Sequence, residues 1–189
     1  MDLNFTNENK NLLTYYIFPK GMNIPDELLK RLANLNLSNG LTIGSFRSDI
    51  RRTKIAFLPQ NDFRDVYEVL KILTERGNND CFKFQISKMY EQIQYAEYHE
   101  SDSGFYDWHY DLAMTYSRRK LSVIVQLSDP SEYEGGYLQI RCEDMNPVTM
   151  SKEKGSVILF PSYLLHRVTP VTKGVRKSLV VWIDGPPFC

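Results

Sequence analysis

Beyond Asn79 the chain offers one short strand pattern after another, with turn chemistry between them and no helical run. Residues 82–86 alternate, 92–98 follow, and then come 120–127, 137–141, 156–160 and 175–183. The separators are Ser128-Asp129-Pro130, Gly135-Gly136, Lys154-Gly155, Pro161-Ser162 and Lys173-Gly174, residue types that favour the backbone angles of turns. Many short strands without crossover helices point to a mainly β fold, an antiparallel sandwich or jelly roll.

Helices are expected only in the first 80 residues. Pro25 opens a run with acids in its first turn and Leu28, Leu29, Leu32 and Leu35 at helical spacing. A second helix is expected after Asp62 as its cap, with Phe63, Val66, Tyr67, Leu70 and Leu73 as the apolar stripe and Gly77 as its stop. Residues 45–58 between them read as extended. No repeat or linker divides the chain, so the reading is a single domain over 1–189. In it, 1–80 support a β core at 81–185, and the helices pack outside one sheet. The last strand then makes a local prediction by its period of two. Arg176, Ser178, Val180 and Trp182 share the inward face, while Lys177, Leu179, Val181 and Ile183 share the face that meets the helices.

Composition excludes little but directs the rest. The 23 basic residues equal the 23 acidic ones, so net charge gives nucleic acid no support as a partner. The first ten residues lack the basic and apolar regions of a secretory signal, and no run reaches the ~18 apolar residues of a membrane span. Cys81, Cys142 and Cys189 are odd in number and widely spaced, which reads as free thiols in a reducing cytoplasm.

Chemistry concentrates at His109-Tyr110-Asp111, His166 and Arg176. A His-x-Asp pair plus one distant His is the ligand set of a facial iron(II) site that leaves positions open for other ligands. On extended backbone, residues two apart point the same way, so His109 and Asp111 can reach one metal. Only three histidines are present, and two fall in this pattern. Arg176 suits a carboxylate, because its planar fork pairs bidentately and never loses its charge. A purely structural strand would seldom bury such an Arg unpaired.

Other polar residues have blander readings. His99 is expected in a solvated loop, with Glu97, Glu100, Asp102 and Asp107 forming a charged loop face. Arg118, Arg119 and Lys120, and likewise Arg47, Arg51, Arg52 and Lys54, read as solvated turns and strand faces, with an anionic substrate edge as the alternative. Tyr95, Tyr98 and Tyr106 are expected in the core, where a hydroxyl aimed inward could bond a carboxylate.

The stretch from Tyr98 to Asp111, with Gly104, Tyr106 and His109 between, resembles the Tyr…Gly-x-Tyr-x-x-His-x-Asp signature of the iron(II)- and 2-oxoglutarate-dependent dioxygenases. Within them it is most like the prolyl-4-hydroxylase-like group. Residues 127–138, with Leu127-Ser128-Asp129 and Glu134-Gly135-Gly136, are similar to a second segment of that group, and 155–182 resemble its C-terminal signature. The likeness runs from about residue 90 to 182; the first 80 residues match only loosely.

What the resemblance implies is a double-stranded β-helix (jelly-roll or cupin-like) in which His109, Asp111 and His166 hold Fe(II). Arg176 then binds the far carboxylate of 2-oxoglutarate, with Tyr98 and Ser178 as supporting residues. Val125 stands where some relatives carry a co-substrate tyrosine. The implied reaction consumes O₂, with ascorbate as an accessory reductant, and hydroxylates a C–H bond while releasing succinate and CO₂. A prolyl residue of a peptide or protein is the first substrate expectation; a free amino acid, another small metabolite or a nucleobase would use the same core. Residues 99–107, 112–119 and 45–54 are the expected substrate-facing loops. From another class, the rival is a cupin-like metal-binding module without turnover.

Overall fold

The computed structural model describes residues 14–41, 48–87, 89, 91–112, 118–142 and 146–187. The elements run β1 (Tyr16–Phe18), α1 (Asp26–Ala33), β2 (Ser38–Asn39), β3 (Arg51–Arg52), β4 (Lys54–Phe57), α2 (Arg64–Gly77), β5 (Gln94–His99), β6 (Phe105–His109), β7 (Arg119–Gln126), β8 (Tyr133–Gly135), β9 (Leu138–Arg141), β10 (Pro147–Thr149), β11 (Val157–Pro161), β12 (His166–Val168) and β13 (Val171–Asp184). An eight-stranded sheet has the order β1-β11-β7-β13-β5-β4-β2, with β8 pairing β13 off that path; a five-stranded sheet has the order β10-β9-β12-β6-β3. Strands from the first 80 residues join both sheets: β1 pairs β11 and β3 pairs β6.

β13 sorts the molecule. Leu179, Val181 and Ile183 pack into one apolar cluster with Leu28 and Leu32 of α1 and Val66 and Leu70 of α2. Val180 instead joins Ile124, Ile158 and Phe160 of the large sheet and Leu138 and Ile140 of the small one, with Trp182 packed against them. The alternation expected from the sequence is therefore the boundary between a helix-backed core and an interior closed by two sheets. Lys173-Gly174, read as a turn, lies instead inside β13. Gly174 has φ +71, and a Cβ there would fall 2.0 Å from the Glu132 carbonyl oxygen. Only glycine permits that approach, and here the partner of β13 changes from β8 to β5: Gly174 faces Tyr133, and Val175 faces His99.

The helices form where their leucines are spaced, but their ends differ from expectation. In α2, Phe63 is the N-cap residue and no side chain caps it. Phe63 is buried, so packing rather than capping fixes this end. The Asp62 contribution is its carbonyl, which accepts from Arg31 Nη2, while the Arg31 guanidinium also pairs with Asp65 at 2.8 Å. Gly77 does not stop α2. Its φ of −61 is helical, and a π-helical turn continues through Asn78–Phe82 to Lys83, which takes the left-handed conformation that ends it. Residues 83–87 form no strand. Of them Phe84 and Ile86, with Phe82 from the turn before, pack on the helix-backed core, so their apolar spacing served that contact and not a sheet.

No helix among the described residues is long and apolar enough to cross a membrane. Cys81 and Cys142 are free; Cys189 lies outside the described residues, as do 45–47 and 113–117 of the expected substrate-facing loops.

Candidate functional site

His109 ends β6 and His166 begins β12, and the two are direct partners across an antiparallel pair. Asp111 lies two residues past the end of β6, where its N–H donates to the Ser162 carbonyl at 3.1 Å. One ligand atom from each of the three lies within 4.8 Å of the others, and among the described residues no other His, Cys, Asp or Glu cluster does this. The Asp111 carboxylate is 3.4 Å from His166 Nε2 and 3.8 Å from His109 Nε2.

Backbone carbonyls set which nitrogen of each ring faces the cluster. His109 Nδ1 is 2.7 Å from the Asp107 carbonyl and His166 Nδ1 is 2.9 Å from that of Leu164. A carbonyl only accepts, so both Nδ1 atoms carry hydrogen, and each ring when neutral presents its Nε2 lone pair to the space between them. Tyr106 stacks on His109 at 3.4 Å between centroids, and Phe160 meets His166 edge-on at 4.7 Å. Ser122 Oγ donates to Asp111 at 2.6 Å and itself contacts Ser162 Oγ at 3.0 Å.

The electrostatics suit a cation. Burial works against charge on Asp111, but His166, His109 and the Ser122 hydroxyl outweigh it and hold the carboxyl below its usual range. Burial and the neighbouring His166 push His109 down to about 3, so it is neutral at pH 7. His166 is opposed by burial, yet the Asp111 charge raises it above the ordinary histidine value. Three donors, the half-buried His109 and the buried Asp111 and His166, form a facial set that could hold a divalent metal through nitrogen and oxygen.

Arg176 points inward from β13 and is 1% exposed. Its Nη2 donates to Gln126 Oε1 at 3.0 Å and its Nη1 lies 3.4 Å from Ser178 Oγ, while Nε has no partner. Among the described residues no carboxylate pairs with it. A buried guanidinium served by neutral acceptors is a standing demand for an anion, because burial of an unmatched charge is costly. The Tyr98 ring lies 5.3 Å from it, so both supporting residues expected from the sequence, Tyr98 and Ser178, do gather at Arg176.

Several expectations change. Val125 belongs to the helix-backed cluster; the neighbour that faces Arg176 is Gln126. His99 is the last residue of β5 and bonds Glu97 at 2.8 Å. Glu97 is buried there, where the Tyr95 hydroxyl donates to it, so neither residue belongs to a solvated loop. Arg51 is buried too: it donates to Thr53 Oγ1 and the Leu41 carbonyl and stacks 4.6 Å from the Tyr106 ring that covers His109. Arg119 pairs with Glu91 and lies over Trp182 at 4.0 Å, and Lys120 is buried. Residues the sequence reading missed are Ser122, Gln126, Tyr133 and Lys152. Ser122 and Gln126 had a signal, being polar at even spacing in an otherwise apolar strand.

Residues 93–184 match the 2OG-Fe(II) oxygenase superfamily. A PKHD-type hydroxylase of Azoarcus sp. is 40% identical over 90 residues, covering 44% of this chain and 39% of its own. One from Acidovorax ebreus is 36% identical over 95 residues, covering 45% and 40%. The matched segment thus spans about two fifths of the length of these curated relatives. Among solved structures, a prolyl-4-hydroxylase of Pseudomonas putida aligns with a TM-score of 0.73 over 90% of this chain and 92% of that one, at 19% identity. A prolyl hydroxylase of Trichoplax adhaerens, solved with a peptide fragment of the hypoxia inducible factor oxygen degradation domain, aligns with a TM-score of 0.76 over 91% and 84%, also at 19% identity. The two-sheet fold is the double-stranded β-helix of these proteins.

Proposed function

We propose that the chain is a 2OG-Fe(II) oxygenase of the prolyl-4-hydroxylase-like group, one catalytic domain that hydroxylates a prolyl residue of a peptide or protein, a reading supported by its match to that superfamily and to PKHD-type hydroxylases. In this reading His109, Asp111 and His166 hold Fe(II), and Arg176 binds the distal carboxylate of 2-oxoglutarate, with Tyr98 and Ser178 beside it. The observation that carries the reading is the presence together of a facial triad, two of its members buried, and a buried guanidinium that has no carboxylate partner among the described residues. A metal-binding module without turnover would need the first and have no use for the second.

Iron and 2-oxoglutarate, when bound, supply the oxidising chemistry: O₂ is consumed, the keto acid leaves as succinate and CO₂, and one oxygen enters the substrate C–H bond. The chain supplies placement. The two Nε2 atoms and the Asp111 carboxylate would hold the metal, and the Ser122 hydroxyl orients that carboxylate by donating to it. Arg176 fixes the keto acid at its far end. Ile124, Ile158, Phe160 and Val180 line the interior with apolar surface that keeps water from the reacting centre. The peptide substrate is supported by the Trichoplax relative, which holds a peptide.

The test is succinate release from 2-oxoglutarate with Fe(II) and ascorbate, followed by a screen for mass gain of one oxygen on proline-containing peptides. Wild type should release succinate and Asp111→Ala should not. Equal background from both proteins would sink the oxygenase reading, and turnover with no peptide oxidised would sink the substrate.

A further inference from the structure

Beside Arg176 stands a side chain with no task in the reaction as described. Tyr133 opens β8, which lies against the first half of β13, and is 2% exposed. Its O–H proton finds no acceptor, and Arg176 Nε finds none either. The two residues are neighbours: a Cβ on Gly136 would lie 3.0 Å from Arg176 Cδ and 3.2 Å from Tyr133 Cε2, so both flank the same glycine. Burial raises the Tyr133 hydroxyl, and the Arg176 charge and a hydrogen bond from the guanidinium draw it back; because a guanidinium only donates, the phenol oxygen accepts there and its own proton stays free to donate.

A second cation stands behind the ring. Lys152 Nζ lies 3.9 Å from the Tyr133 ring centroid and donates to the Tyr133 carbonyl at 3.2 Å. Burial and then the Arg176 charge depress Lys152, so two positive groups share this end of the interior. An O–H and an N–H without acceptors beside one glycine, with a second cation over the tyrosine ring, form a site short of an anion with two oxygens. Packing alone does not account for the tyrosine, since phenylalanine would fill the same space without burying an O–H proton that has no acceptor.

We propose that Tyr133 is a binding residue for the co-substrate, donating its O–H to the distal carboxylate of the 2-oxo acid beside the Arg176 guanidinium. The proposal rests on the role given to Arg176 above. It also makes length selection a property of this pocket, because a keto acid must carry a carboxylate far enough from its head to reach both donors.

The experiment is calorimetric titration of the Mn(II)-loaded protein, which does not turn over. Two titrants are used: 2-oxoglutarate, and 2-oxopentanoate, which has the same keto-acid head and no distal carboxylate. Tyr133→Phe should bind 2-oxoglutarate about ten- to a hundredfold more weakly, the loss of one hydrogen bond to a charged group. Its affinity for 2-oxopentanoate should match wild type, and without ligand it should melt no lower. A structural hydroxyl would behave otherwise, lowering the melting temperature and weakening both acids alike; that result, or unchanged 2-oxoglutarate affinity, overturns the assignment. Wild type that fails to bind 2-oxoglutarate overturns the co-substrate reading itself and this inference with it. Wild type that binds while Tyr133→Phe binds equally well overturns this inference alone.

Discussion

His109 and His166 are far apart in the chain but face each other directly across β6 and β12, with ring centroids 4.2 Å apart. Strand pairing, rather than a local motif, thus assembles the two imidazoles, and Asp111 completes the set from the turn beyond β6. Asp111→Ala should abolish tight binding of Fe(II) or its spectroscopic substitute Co(II), and His99→Ala should leave it intact. Retained Co(II) absorbance in Asp111→Ala would remove Asp111 from the ligand set.

Ser122 tests how much the carboxylate depends on its support. Its hydroxyl is the hydrogen-bond donor that orients Asp111 from within the large sheet. Ser122→Ala should weaken metal affinity by about ten- to a hundredfold, the usual effect of losing an outer partner of a ligand. Metal competition titrations would read it, and an unchanged constant would show that the Ser162 contact with the Asp111 backbone suffices.

Proton release on metal binding should be single. Protons and metal compete for the same lone pairs. His109, held at about 3, carries none near pH 6, whereas His166, raised above the ordinary value by Asp111, still does. Affinity should therefore fall by about tenfold per pH unit below the His166 pKa, and not by a hundredfold. Calorimetry in buffers of different ionisation enthalpy counts the protons; a count of two would contradict the asymmetry between the rings.

Arg176→Ala separates the two halves of the site. It should cost more than about 2 kcal/mol in 2-oxoglutarate binding, as loss of a buried charge partner does. Metal affinity should stay within a few fold of wild type. If a titration finds the keto acid bound as before, the role of Arg176 is wrong.

Leu70 lies fully buried in the cluster that joins α2 to the back of β13. Leu70→Ala should destabilise the fold by about 2–5 kcal/mol through lost burial and the cavity left behind. Denaturant unfolding measures this, and folded Leu70→Ala should retain wild-type metal affinity because the cluster is on the other face of the sheet.

The large sheet was legible because its strands β5, β7, β11 and β13 are apolar and long enough to show a pattern. Of the small sheet only β9 was read as a strand. Strands β6 and β12 carry the two histidines, but β12 has only three residues and a bulge shifts its register against β6, which breaks the period of two. Asp111 reached the site from a turn and not, as its spacing implied, from extended strand. The errors over Glu97, His99 and Arg51 have one cause: charge alone suggested exposure, while residues two apart on the same extended segment, Tyr95 and His99 with Glu97 and Thr53 with Arg51, satisfy these groups. Tyr133 and Lys152 gave no local sign, since only the folding of separate loops against β13 brings them to Arg176.

β13 is bonded along much of its length to β5 on one side and β7 on the other. Such a strand is among the last in a molecule to exchange its amide hydrogens, opening only when the whole domain does. The guanidinium is therefore mounted on one of the least yielding parts of the protein, while the triad sits on short strands and a turn at the margin. Accommodation of different substrates must come from that margin, and the keto-acid end of the cavity will keep its dimensions while it happens.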